Sequence, residues 1–85
     1  MIRVRCMGHI GTSVGRKEVL LNDSALSPSE LVDELRRMSG RPDPGFNRYN
    51  TLALVGDGEA FVPASSTREI KSGEDVVLIP FSHGG

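Results

Sequence analysis

Apolar and polar residues alternate at the start of the chain, with Ile2, Val4 and Cys6 against Arg3, Arg5 and Met7. That period of two predicts a half-buried strand. Gly8, Gly11 and Gly15 then punctuate the next stretch, which reads as a turn-rich connection into a second short strand over 17–22. The pair predicts an N-terminal hairpin with a generous loop. The period changes at Ser27-Pro28-Ser29-Glu30, where a cap hydroxyl, a proline at the first helical position and a reciprocal acid open a helix. Leu31, Val32, Leu35 and Met38 form its apolar stripe. Acids crowd its start and Arg36 and Arg37 its end, as the helix dipole favours. Gly40 supplies a left-handed stop, and Pro42 and Pro44 forbid continuation.

Residues 41–50 read as a polar, proline-broken loop, and Thr51-Leu52-Ala53-Leu54-Val55 as a third strand. Gly56-Asp57-Gly58 is a tight turn into the short run Glu59-Ala60-Phe61-Val62. Residues 65–69 are irregular or a single helical turn, 72–75 a turn, and 76–81 the last strand. A single helix covers only one face of such a sheet. The predicted fold is therefore an α+β roll, with the helix packed across a sheet whose first and last strands can lie parallel.

The last strand is apolar on both faces, Val76 and Leu78 on one side and Val77, Ile79 and Phe81 on the other. The helix buries only one set, for which the stripe of Leu31 and Leu35 is matched to Val76 and Leu78. The other set is expected to form an exposed apolar patch of the kind that marks a partner site, unless the 41–50 loop folds over it.

Eighty-five residues make one domain, here 1–81 followed by a flexible tail at 82–85. A hydrophobic fraction of 38% with 25% charged residues is ordinary for a folded globule. The net charge of −1 argues against direct nucleic-acid binding or a membrane-surface role driven by bulk charge. No apolar run is long enough to span a membrane and the N-terminus has no signal-peptide pattern, so the expected location is the cytoplasm. Cys6 is the sole cysteine, which removes an internal disulfide, and its place in an alternating strand makes it a small core residue.

Candidate chemistry is sparse. The segment Gly11-Thr12-Ser13-Val14-Gly15-Arg16-Lys17 is one residue short between glycines for a phosphate-binding loop and lacks Gly-Lys-Ser/Thr. His9 and His83 are too few for a metal site. No nucleophile, base and orienting acid can be assembled, so the chain reads as something acted upon rather than an autonomous enzyme. The tail Ser82-His83-Gly84-Gly85 is the remaining feature. Glycine finishes a fold poorly, because it has no side chain to bury and loses the most backbone entropy on ordering. It suits a tail that slips, extended, through a narrow channel to present its carboxylate elsewhere; the alternative is a frayed end with no role. Four extended residues reach roughly 13–14 Å.

The order of elements, Gly73-Glu74-Asp75 before a Val-Val-Leu-Ile-Pro strand, and Gly84-Gly85 together resemble the ubiquitin-like sulfur carriers. Within them the chain is most similar to the small subunit of molybdopterin synthase. The resemblance covers the whole chain in layout and residues 70–85 in motif. His83-Gly84-Gly85 is also similar to the tail of the ubiquitin-related modifier that thiolates transfer RNA. Phe81 stands where the molybdopterin branch has a second proline, and ubiquitin's arginines before Gly-Gly are missing.

The resemblance implies a ubiquitin-like β-grasp protein, a mixed sheet with one main helix across one face. It also implies a C-terminal Gly85 that is adenylated by an ATP-dependent, E1-like activating enzyme and converted to a thiocarboxylate. The sulfur then goes to an acceptor in a larger subunit, such as that of molybdopterin synthase, with this chain as the small subunit of the complex. It binds no cofactor or metal itself; ATP belongs to the activating enzyme. Gly84 allows close backbone approach, Ser82 and His83 are spacers, and Val77, Ile79 and Phe81 dock the partner. The alternatives are a protein modifier joined through Gly85 to substrate lysines, a sulfur donor for transfer-RNA thiolation or thiamine, and an interaction domain with an incidental tail.

Overall fold

The computed structural model describes residues 1–40, 46–56, 58–65 and 67–81. Strand β1 (Ile2–Cys6) leads through a short helix α1 (His9–Val14) to β2 (Glu18–Leu21) and β3 (Ala25–Leu26). The main helix α2 (Pro28–Ser39) follows, then β4 (Thr51–Gly56), β5 (Phe61–Pro63), β6 (Ile70–Lys71) and β7 (Asp75–Pro80). Five strands form one sheet in the order β2-β1-β7-β4-β5, and β3 pairs with β6 in a separate two-stranded ribbon. β1 and β7 run side by side in parallel, Val4 beside Val76 and Cys6 beside Leu78. β7 is therefore central, with β4 antiparallel on its other side and Ala53 opposite Leu78.

Period-two burial sorts the sheet. Ile2, Val4 and Cys6 of β1, Val19 and Leu21 of β2, Ala53 and Val55 of β4, and Val76 and Leu78 of β7 all enter one core. Leu31, Val32 and Leu35 of α2 close over them. The ends of α2 are built as the local residues dictate. Ser27 Oγ accepts the Glu30 backbone N–H at 3.2 Å, and the Ser27 N–H donates to Glu30 Oε1 at 3.0 Å. This backbone hydrogen bond, helped by the one from Ser27's side chain, holds the Glu30 carboxyl below its ordinary pKa. Ser27→Ala is expected to lower stability by about 1 kcal/mol, visible as a drop of roughly 5 °C in Tm for a domain of this size. An unchanged melting curve would mean that packing alone holds this end of the helix.

Four features depart from the sequence reading. Residues 9–14 are helical rather than an open hairpin loop. His-Ile-Gly-Thr-Ser-Val has weak helix propensity, so α1 is held by tertiary contacts. Ile10 is fully buried, and a Cβ at Gly11 would sit 3.2 Å from the Cys6 carbonyl. Gly8 and Gly15, at φ 56° and 88°, start and stop it in a conformation that other residues adopt at a cost. Met38 is 45% exposed instead of completing the stripe. It lies two turns beyond Leu31, in line with it, so its exposure comes from its place in the last turn, past the covered part of the sheet. Phe46, read as part of a polar loop, is buried in the core. The β3–β6 ribbon is the fourth: strands of two residues carry no readable period.

Candidate functional site

The predicted docking residues lie on β7, where neighbouring ladders fix the direction of each side chain. Alternation places Val76 and Leu78 in the core at 1% and 0% exposure. Val77 and Ile79 therefore point to the opposite face, where both are half-buried. Phe81, just past the strand, is exposed, and its N–H donates to the Asn50 carbonyl at 2.7 Å, which ties the end of β7 to the start of β4. At the same end the Met7 N–H donates to the Leu78 carbonyl at 3.0 Å. A Cβ on Gly8 would lie 3.1 Å from Pro80 Cγ, so the α1 entry and the end of β7 are in close contact. The chain past Phe81 thus departs from a fixed point in the middle of the sheet.

Cross-strand register extends this face beyond β7. Leu52 pairs with Ile79 and Leu54 with Val77, while Arg5 flanks Val77 from β1. Gly56 pairs with Phe61, which brings that aromatic ring to the same side. Val77, Ile79, Leu52, Leu54 and Phe61 are all half-buried, making one continuous apolar strip. The core helices lie on the other face, and the described part of the 41–50 loop sends Phe46 into that core rather than over the strip. Leu52, Leu54 and Phe61 were missed as candidate docking residues. For Leu52 and Leu54 the signal was present, since Thr51-Leu52-Ala53-Leu54-Val55 is apolar on both faces just as β7 is.

Polar groups border the strip. Arg3 and Asp75, paired across β1 and β7, form an ion pair at 3.0 Å. The hydrogen bond to Asp75, with its charge, pushes the Arg3 pKa above its ordinary value. Arg68 and Glu74 form a second pair at 3.0 Å in the turn before β7. Hydrogen bonds from the Lys71 backbone and then from Arg68 hold the Glu74 carboxyl below its ordinary pKa. The acidic Gly73-Glu74-Asp75 turn is thereby spent on anchoring the start of β7.

Cys6 is buried, and desolvation pushes its thiol up to about 11, so it is protonated at neutral pH and no nucleophile. Among the described residues, no group of three His, Cys, Asp or Glu side chains is placed to hold a metal ion. No helix among them is long and apolar enough to cross a membrane. Ser82, His83, Gly84 and Gly85, the expected reactive tail, lie outside the described residues.

No protein-family model matches the chain, and no curated protein matches it in sequence. Among solved structures it is similar to the crystal structure of SAMP1 from Haloferax volcanii, with a TM-score of 0.65. The match is at 18% identity and spans 99% of this chain and 98% of that one. The chain has the ubiquitin-like β-grasp fold. Helix α1 and the β3–β6 ribbon lie outside its mixed five-stranded sheet. In this β-grasp chain the helices α1 and α2 share one face of the sheet, and the apolar strip occupies the other.

Proposed function

We propose that this β-grasp chain is a sulfur carrier that works through Gly85, with molybdopterin formation as the favoured destination. The observation that supports the reading is the placement of its last strand. β7 is central, is apolar on its uncovered face, and leads directly into Ser82-His83-Gly84-Gly85. In the chemistry proposed, the Gly85 carboxylate attacks the α-phosphate of ATP within an E1-like activating enzyme, and pyrophosphate leaves. Sulfide then displaces AMP from the acyl-adenylate and leaves a thiocarboxylate. A free carboxylate is a poor electrophile, so the adenylate supplies the leaving group the exchange needs. The chain's own part is to dock through Val77, Ile79 and Phe81, together with Leu52 and Leu54, and to deliver Gly85 into first the activating site and then the acceptor subunit. No side chain of the chain needs to act on the substrate.

Intact mass of the protein purified from its native cells tests this. The expected result is a species in which one carboxyl oxygen has become sulfur. A ladder of larger adducts with Gly-Gly remnants on substrate lysines would instead assign the chain as a protein modifier. Recovery of the unmodified carboxylate alone, in cells that make the activating enzyme, would overturn both.

A further inference from the structure

At the end of the sheet away from the acidic turn, the last residues of β1, helix α1 and the segment leading into β2 border an open cavity of about 600 Å³. Three of its lining residues are cations, Arg5, Arg16 and Lys17. None of them forms an ion pair with a described residue, whereas Arg3, Arg37 and Arg68 each have an acidic partner. The charge is segregated along the chain as well. The first acid is Glu18, so residues 1–17 hold Arg3, Arg5, Arg16 and Lys17 with no Asp or Glu among them. Arg3 is neutralised by Asp75, which leaves the other three at the cavity. Glu18, opposite Arg5 in the ladder, does not line the cavity and offsets part of that arginine's charge, which leaves Arg16 and Lys17 as the cavity's main surplus. A protein with a net charge of −1 thus carries a net-positive concavity.

The rest of the lining is neutral and largely apolar. Met7 is an exposed apolar residue of the lining, while the side chain of Cys6 is buried in the core. Thr12 offers a hydroxyl donor. Gly8, Gly11 and Gly15 line it without side chains, and a Cβ at Gly11 would crowd the backbone of Cys6, Arg16 and Lys17. The volume falls within the range of small-molecule sites, roughly 300–1,000 Å³, and is far more than an inorganic anion fills. Arginine planes stack on rings and fork onto phosphates, and sulfur atoms pack against aromatic edges.

We infer that this cavity binds a small phosphate monoester carrying a planar ring, of nucleoside-monophosphate size, with Arg5, Arg16 and Lys17 holding the phosphate and Met7 lying against the ring. This is not a phosphate-binding loop of the Gly-Lys-Ser/Thr kind; the affinity comes from side-chain cations over an apolar floor. The inference does not rest on sulfur transfer and stands if Gly85 proves inert.

The test is an amide NMR titration of the full chain at low salt with AMP, adenosine, inorganic phosphate and a short single-stranded oligonucleotide. AMP is expected to shift the resonances of residues 5–17 saturably. Adenosine and phosphate, each lacking half of the recognition, are expected to bind about tenfold more weakly or worse. An Arg16→Gln, Lys17→Gln double variant should keep its melting temperature and lose about tenfold in AMP affinity. Arg36→Gln, an exposed arginine on α2, should change nothing. Four results would overturn the inference: no saturable shift, shifts spread over the whole surface, equal loss in both variants, or phosphate binding as tightly as AMP. An oligonucleotide that binds far more tightly than AMP would overturn it too, making the cavity a nucleic-acid contact.

Discussion

Leu78→Arg is expected to unfold the domain, whereas Ile79→Arg, one residue further along β7, is expected to leave it folded but unable to hold the activating enzyme proposed for it. Leu78 is fully buried between Cys6 and Ala53 on the neighbouring strands, under α2. A guanidinium there has no acid within the core, since no polar or charged residue among those described is buried. An uncompensated buried charge costs about 3–5 kcal/mol. At the usual 0.05–0.15 kcal/mol per residue, an 85-residue chain has only roughly 4–13 kcal/mol of stability in total. Ile79 faces the other way, beside Leu52 on the uncovered strip, where an arginine keeps its head group in water. The loss to the fold is therefore small, and the charge meets its desolvation penalty only when a partner closes over the strip. Binding is then expected to weaken by about 3–5 kcal/mol, a loss of at least a hundredfold. A melting curve and a binding titration on the two variants measure both effects. Should the Ile79→Arg protein fold and bind normally, the docking surface lies elsewhere and the apolar strip needs another occupant.

The parts of this fold that were legible are those written in local residues. Ser27, Pro28 and Glu30 open α2 and Gly40 closes it, at φ 69°, because capping uses atoms a few residues apart. The two-faced apolarity of β7 was legible for the same reason, since alternation is a local property. What was not legible depended on distant partners. Helix α1 has weak propensity and no side-chain N-cap to announce it, and exists because Ile10 finds the core and Gly11 fits against the Cys6 carbonyl. Phe46 sits in a stretch of Asn, Arg and Pro whose composition reads as solvated, yet its ring fills the core. Met38 carried the right spacing for burial and ran out of sheet to cover it.

The candidate site divides along the same line. Val77, Ile79 and Phe81 could be named from one strand, but Leu52, Leu54 and Phe61 join them only through the order β7-β4-β5. The cations of the basic cavity were visible in the chain. The cavity they surround was hidden, because it depends on α1 replacing an open loop.

Deleting Gly85 is expected to abolish ATP–pyrophosphate exchange with the cognate activating enzyme while leaving thermal stability unchanged within error. Adenylation is reversible attack by a carboxylate, so exchange reports that one step without requiring sulfur or an acceptor. Truncation still leaves a carboxylate, on Gly84, but withdraws it by one residue, roughly 3.3–3.6 Å of extended chain. A reacting atom displaced even about 1 Å from its attack position costs on the order of a hundredfold, so a shift of a whole residue removes detectable exchange. The fold is untouched because its core closes with Val76 and Leu78, and its last described main-chain tie is the Phe81 hydrogen bond to Asn50. A second variant, Gly84→Ala, separates reach from fit. It keeps the carboxylate in place and adds only a Cβ, so loss of exchange with retained docking would identify a channel too narrow for a side chain. Exchange that persists after Gly85 is removed would show that the terminal carboxylate is not the reactive group. In that case the apolar strip on β7 and β4 would remain a docking face, and the chain would act as an interaction domain rather than a carrier.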